Sequence, residues 1–138
     1  MTLLYNYGCA NERLGRYDTA LRFFQYAEDI RPRWSDALFG KAVTYFKLGE
    51  YKESKKCVKL AIKSFKYGSV YESEFEMIYF QAMCYKKLKK YKLAQRDYRF
   101  ISELFKQDEG DRLLEHIVTI ILLTLNEDRH YQHDQVEK

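Results

Sequence analysis

Apolar residues recur along this chain at the spacing of helices. Before a short break at Gly15, the series Leu4, Tyr7, Gly8, Asn11 and Leu14 runs at intervals of three and four. After it, Tyr17, Ala20, Leu21, Phe24, Ala27 and Ile30 do the same. A second copy follows with Leu38, Ala42, Tyr45 and Leu48, then Tyr51, Val58, Ala61, Ile62 and Phe65. A third has Ile78, Ala82, Tyr85 and Leu88, then Tyr91, Ala94, Tyr98, Ile101, Leu104 and Phe105. Such spacing lays one apolar stripe along a helix of 3.6 residues per turn, and the alternation of a half-buried strand appears nowhere. The pattern predicts three antiparallel helix pairs. Pro32 ends the second helix, because its ring removes a donor and blocks the turn before it. Ser35-Asp36 and Ser73-Glu74 are expected to cap the helices that follow them, and Asp111 the last one.

The copies also match letter by letter. Leu14-Gly15-Arg16-Tyr17 recurs as Leu48-Gly49-Glu50-Tyr51, 34 residues later, and as Leu88-Lys89-Lys90-Tyr91 after another 40. The six extra residues fall around 67–73, where a Gly and two Ser mark a lengthened loop. Gly8, Ala42 and Ala82 hold one place in the first helices, and Ala20, Ser54 and Ala94 one place in the second. Small side chains there let helix axes approach, with the rings of Tyr17, Tyr51 and Tyr91 filling the next gap. One pair cannot bury its apolar faces alone, but a stack can.

A seventh helix is predicted at about 111–125. Leu113, Leu114, Ile117, Val118, Ile120, Ile121, Leu122, Leu123 and Leu125 point almost every way around its wheel. A helix apolar on most sides is covered on most sides, by its own chain or by another. The expected fold is all-α: a right-handed superhelix of helix pairs forming one domain over 1–125. Its repeats span about 1–34, 35–72 and 75–108, and a polar tail covers 126–138. The start at Met1 falls on a repeat boundary without a preceding cap, which suggests a domain cut from a longer protein.

Composition removes several classes of function. The 138 residues are 46% hydrophobic and 32% charged, with one Pro and six Gly, too few for a chain of tight turns or a β-sandwich. Thirteen Tyr and nine Phe beside one Trp imply a core and surface built from rings. A net charge of +4 does not by itself indicate nucleic acid. The apolar run near the C-terminus falls short of the roughly 20 residues that span a bilayer, and no signal peptide is visible. Cys9, Cys57 and Cys84 are odd in number and widely spaced, which fits no disulfide framework and no paired metal site. The chain reads as cytoplasmic, with reduced thiols. No phosphate-binding loop, nucleophile elbow or H-E-x-x-H is present, so neither catalysis nor a cofactor is expected. His130, His133 and Asp134 have metal-ligand spacing but read as exposed residues of a polar tail.

Three copies in register resemble the tetratricopeptide repeat, a 34-residue helix-turn-helix unit. Copy one carries that unit's signature at Leu4, Gly8, Gly15, Tyr17, Ala20, Phe24, Ala27 and Pro32, and departs at Tyr7 and Asn11. Copy two carries it at Leu38, Ala42, Tyr45, Gly49, Tyr51 and Ala61, and departs at Lys41, Ser54, Val58 and Lys66. Copy three carries it at Ala82, Tyr85, Tyr91, Ala94 and Tyr98, with Lys89 and Lys106 in place of Gly and Pro. The resemblance covers roughly 2–107. It implies a concave groove, lined by the first helix of each pair, that binds a peptide or helix of a protein partner.

Carried over residue by residue, that groove holds Tyr5, Cys9, Glu12 and Arg13 from copy one. Copy two adds Asp36, Phe39, Gly40, Val43, Phe46 and Lys47, and copy three Glu76, Tyr79, Phe80, Met83, Lys86 and Lys87. An apolar, aromatic middle with lysines at one rim suits an apolar helix or an extended segment with bulky side chains. The alternative is that these rings are ordinary packing between helices. The subset of the family that grips acidic chaperone tails uses cations and amides where this chain has Tyr5, Cys9, Gly40, Glu76 and Phe80, which argues against that ligand. A second reading is self-association as a homodimer through Leu114, Ile117, Val118, Ile121, Leu122 and Leu125. A third is a basic surface for nucleic acid or an acidic protein, from Lys52, Lys55, Lys56, Lys59, Lys63 and Lys66 with Lys86, Lys87, Lys89, Lys90 and Lys92. Against it, no aromatics interleave the stripe to stack bases, and lysine is the default solvated residue.

Overall fold

The computed structural model describes residues 2–65, 74–107 and 118–125, with side chains up to 104 in the second stretch. The helices are α1 (Thr2–Arg13), α2 (Tyr17–Ile30), α3 (Ser35–Lys47), α4 (Tyr51–Lys63), α5 (Phe75–Lys87) and α6 (Tyr91–Gln107). Residues 118–125 form a further helical segment, α7, and no strand occurs among the described residues. Helices α1 and α2, α3 and α4, and α5 and α6 form three pairs; α2 packs on α3 and α4 on α5, which stacks the pairs into a solenoid.

Each pair turns in the same way. The Gly15 amide donates to the Glu12 carbonyl and the Arg16 amide to that of Asn11, at 3.0 and 2.8 Å. Glycine in the left-handed region (φ 79°) makes this possible, and Gly49 repeats it at φ 78°. The third turn makes the equivalent bonds from Lys89 and Lys90 but puts Lys89 at φ 62°, where a Cβ is strained.

Close packing occurs where the small residues fall. Ala20, Ala42, Ser54, Ala82 and Ala94 are fully buried. The Ser54 hydroxyl donates to the Ala42 carbonyl at 2.6 Å, so this departure from the repeat signature costs no unpaired polar atom. Phe24 is buried against both Gly8 and Gly40. A Cβ at either glycine would fall 2.6 or 2.5 Å from the nearest ring carbon.

Three expectations need revising. The residues preceding α3 and α5 are Trp34 and Glu74, and neither makes a side-chain capping bond. Ser35 and Asp36 instead lie buried in the first turn of α3. Burial of Trp34 among Ala27, Ala37, Leu4 and Tyr5 sets where that helix begins. Helix α7 packs along one side. Val118 and Leu125 are buried and Ile121 and Leu122 half-buried, against Ile78, Tyr85, Tyr98 and Ile101. Thr119 and Thr124 break the outer face, where Ile120 and Leu123 are 49% and 58% exposed. The residues assigned to self-association therefore serve, where described, as intramolecular packing. Leu114 and Ile117, the loop at 67–73, Ser73, Asp111, and the tail with His130 and His133 lie outside the described residues.

Candidate partner-binding groove

The first helices of successive pairs touch directly. Helix α1 meets α3, and Glu12 pairs with Lys47 across that contact. Between α3 and α5 the link is aromatic. Phe39 and Phe80 meet edge to face at 5.3 Å, Phe80 and Phe46 are tilted at 5.2 Å, and Phe46 and Tyr51 meet edge to face at 5.1 Å. Aromatic contacts of this kind add about 0.5–1.5 kcal/mol beyond area burial, which favours this arrangement of the row.

Three of the groove rings serve as its floor. Phe39 is only 7% exposed and belongs to the core between the second and third pairs, which corrects its assignment as a contact residue. Tyr5 is half-buried between Phe24 and Trp34, at 5.9 and 5.3 Å. Tyr79 is half-buried against Tyr98 at 5.8 Å. The equivalent position thus supports the stack in all three copies. Gly40 faces Phe24 and Asp36 is buried. What stays accessible is the half-buried set Val43, Phe46, Phe80 and Met83. Arg13, Lys47, Glu76 and Lys87 are exposed and Lys86 is half-buried; the Lys87 ammonium sits 5.9 Å from the centre of the Tyr51 ring.

Sequence reasoning missed the part played by Trp34. Trp34 backs Tyr5 and carries the Arg31 guanidinium 5.5 Å from its ring centre. Its place directly before α3 was the available signal. Lys41, a departure from the repeat signature, spans two pairs: it donates to Gln25 at 2.8 Å and pairs with Glu28 at 3.3 Å. In the lysine stripe, Lys52, Lys56, Lys59 and Lys63 are exposed and Lys55 is half-buried. Desolvation first, and then Lys90, Lys59 and Lys52, hold the Lys55 ammonium below its ordinary value.

The site holds no activated nucleophile. Burial pushes the Cys9 thiol up, against the opposing Tyr5 hydrogen bond and the charge of Arg13. Burial raises Cys57 to about 11 and also raises Cys84. A thiolate is the reactive form, so at neutral pH these cysteines are packing residues. Among the described residues no His, Cys, Asp and Glu gather as a metal set, and no helix is long and apolar enough to cross a membrane.

A stack of equivalent helix pairs closed by left-handed turns, two of them at glycine, with small residues at each close approach, defines a helical-repeat protein. Comparison with family models names the class more narrowly. The model of the tetratricopeptide repeat family matches residues 2–33 and 35–67, so over its first two helix pairs the chain is similar to that family. The third pair lies beyond that match but repeats its turn hydrogen bonds and its buried alanines. No curated protein matches the sequence.

Proposed function

We propose that this chain is a protein-binding module whose groove takes a bulky apolar segment, helical or extended, across α3 and α5. Tetratricopeptide repeats generally mediate protein–protein interaction and scaffolding. The observation that carries the finer reading is the accessible set Val43, Phe46, Phe80 and Met83, held in a row of rings by edge-to-face and tilted contacts. Half-buried aromatics on a rigid floor are what interface anchors pack against. Arg13 and Lys47 favour acidic residues flanking the apolar core of the partner segment. The chaperone-tail ligand remains disfavoured, since Tyr5 and Gly40 are committed to packing and Phe80 offers a ring where that ligand needs a cation.

Selection from a displayed random-peptide library tests this reading. Recovered peptides should pair bulky apolar residues with acidic flanks, and Val43→Glu or Met83→Glu should weaken them by tenfold or more. Peptides that bind both variants as tightly as the unsubstituted chain would place the partner site elsewhere.

A further inference from the structure

The second helix of each pair turns a line of four equivalent positions to solvent, spaced four, three and four residues apart. In α2 these are Asp18, Arg22, Gln25 and Asp29. In α4 they are Lys52, Lys56, Lys59 and Lys63, and in α6 Lys92, Arg96, Arg99 and Glu103. All twelve side chains are exposed. Exposure is what the fold asks of this line, and α2 meets it with both signs. Four lysines in a row on α4 and three cations on α6 go further than solvation requires, because like charges one turn apart repel.

Little of this charge is answered among the described residues. Glu53 is the sole acid of α4, and it pairs with Lys56 at 3.3 Å where both side chains stand in water, so the pair counts for little. Arg96 reaches Asp97 at 3.4 Å, but that carboxylate is buried. Half-buried Lys55 stands beside the line, and after its desolvation the charges that act on it are all cationic: Lys90 from the turn before α6, then Lys59 and Lys52. Apolar side chains adjoin the cations at another shared position. Leu60 follows Lys59 and Phe100 follows Arg99, 43% and 48% exposed, where α2 has Tyr26.

We infer that the outer face of α4 and α6 is a second docking surface, formed by the second helices of the pairs rather than the first, and that its occupant is an acidic polypeptide segment carrying apolar side chains. Charge complementarity calls for a polyanion. From residue 52 to residue 63 the lysine line is roughly 17 Å long, the span of about five extended residues or three helical turns. A nucleic-acid duplex or a membrane carries its charge well past that length, over Asp18 and Asp29 of the neighbouring pair. Leu60 and Phe100 give apolar side chains of a polypeptide a surface to pack on, whereas one exposed ring does not make a row for stacking bases.

Fluorescence anisotropy of a labelled twelve-residue peptide of Glu and Leu, titrated with the full chain, is the test. It should bind at least tenfold more tightly than the same peptide with Gln in place of Glu, and more weakly as salt is raised. Lys56→Glu with Lys59→Glu should weaken it at least tenfold. Arg22→Glu, which stands on α2 where Lys56 stands on α4, should leave it within twofold, and so should Val43→Glu in the groove. Equal binding of the Gln peptide, or a loss caused by Val43→Glu and not by the lysine changes, overturns the inference. So does tighter binding of a DNA duplex or of phosphatidylserine vesicles that the same lysine changes abolish, since the occupant would then be that polyanion. Carbodiimide crosslinking of the unsubstituted chain needs no variant: carboxylates of the peptide should couple to lysines within 52–63, and coupling confined to other lysines overturns it equally.

Discussion

The two junctions of the stack join equivalent helix pairs by different chemistry. At the first, Phe24 is held in a slot between Gly8 and Gly40, and polar ties run alongside it, from Lys41 to Gln25 and Glu28 and from Lys47 to Glu12. At the second there is no such slot. Met77, Cys84 and the rings of Phe39, Phe46 and Phe80 fill the space, with the Ser54 hydroxyl bonded to the Ala42 carbonyl inside it. The first junction is a rigid steric fit with charged edges, and the second is adaptable packing of polarisable side chains. One backbone geometry therefore tolerates two solutions, but they should respond differently to substitution.

The largest effect is expected where fit is tightest. Gly8→Leu or Gly40→Leu should each destabilise the chain by about 2–3 kcal/mol, as overpacking does at its upper range. Phe24→Leu should partly rescue either one. At the second junction Met77→Leu, which nearly conserves volume, should cost less than about 1.5 kcal/mol. Urea unfolding midpoints measure all of these, and an unshifted midpoint for Gly8→Leu would remove the contrast.

Next comes the polar edge of the first junction. Lys41→Met leaves Glu28 and Gln25 without their shared cation, which should cost about 1 kcal/mol at low salt. The difference from the unsubstituted chain should shrink as salt is raised. A salt-independent loss would mean that Lys41 acts through its packed stem alone. Of similar size and opposite sign is the third turn. Lys89→Gly should raise stability by about 1 kcal/mol, because it removes a Cβ from the left-handed conformation that the other two turns give to glycine.

The smallest effect concerns Asp97, which stands at the second junction where the first has Cys57. It is buried, and its Oδ2 has no hydrogen-bond partner among the described residues. Burial raises its pKa above the ordinary carboxylate value, against the opposing charge and hydrogen bond of Arg96. A carboxyl whose folded pKa is raised binds its proton more tightly when folded, so its ionisation lowers stability as pH rises. Asp97→Asn should therefore raise the thermal midpoint at pH 7. That advantage should fade as pH falls through the raised pKa and be gone below the unfolded value of 3.8.

Much of this was legible in the sequence where a period repeats. The turns at Gly15 and Gly49 and the close approaches at Ala20, Ala42 and Ala94 stand out because the same residue type returns at the same place. Phe39 was not legible as floor. Its position says which side of α3 it is on, but only the neighbouring Phe80 decides that it is covered. The aliphatic count of α7 did not say which side is covered: Val118 and Leu125 sit one above the other on the inner face, while Ile120 and Leu123 share the outer one with Thr119 and Thr124. Start signals at Ser35 and Asp36 misled by one residue, since tertiary burial of Trp34 outweighed a local capping preference. Tyr7 was read both into the apolar series of the first helix and as a mismatch to the repeat, and its neighbour in space, Phe23, is sixteen residues away.

Trp34 has a further consequence. It is the only tryptophan in the chain, and it lies at the first junction, against Tyr5 and beneath Arg31. Its emission therefore reports on the environment of that junction, whereas far-ultraviolet dichroism sums over every helix. A single cooperative unit would show both signals moving together in denaturant. A stack that frays from its C-terminal end would lose ellipticity first, with the indole still enclosed, and the interval between the two curves would measure how far cooperativity extends along the repeats.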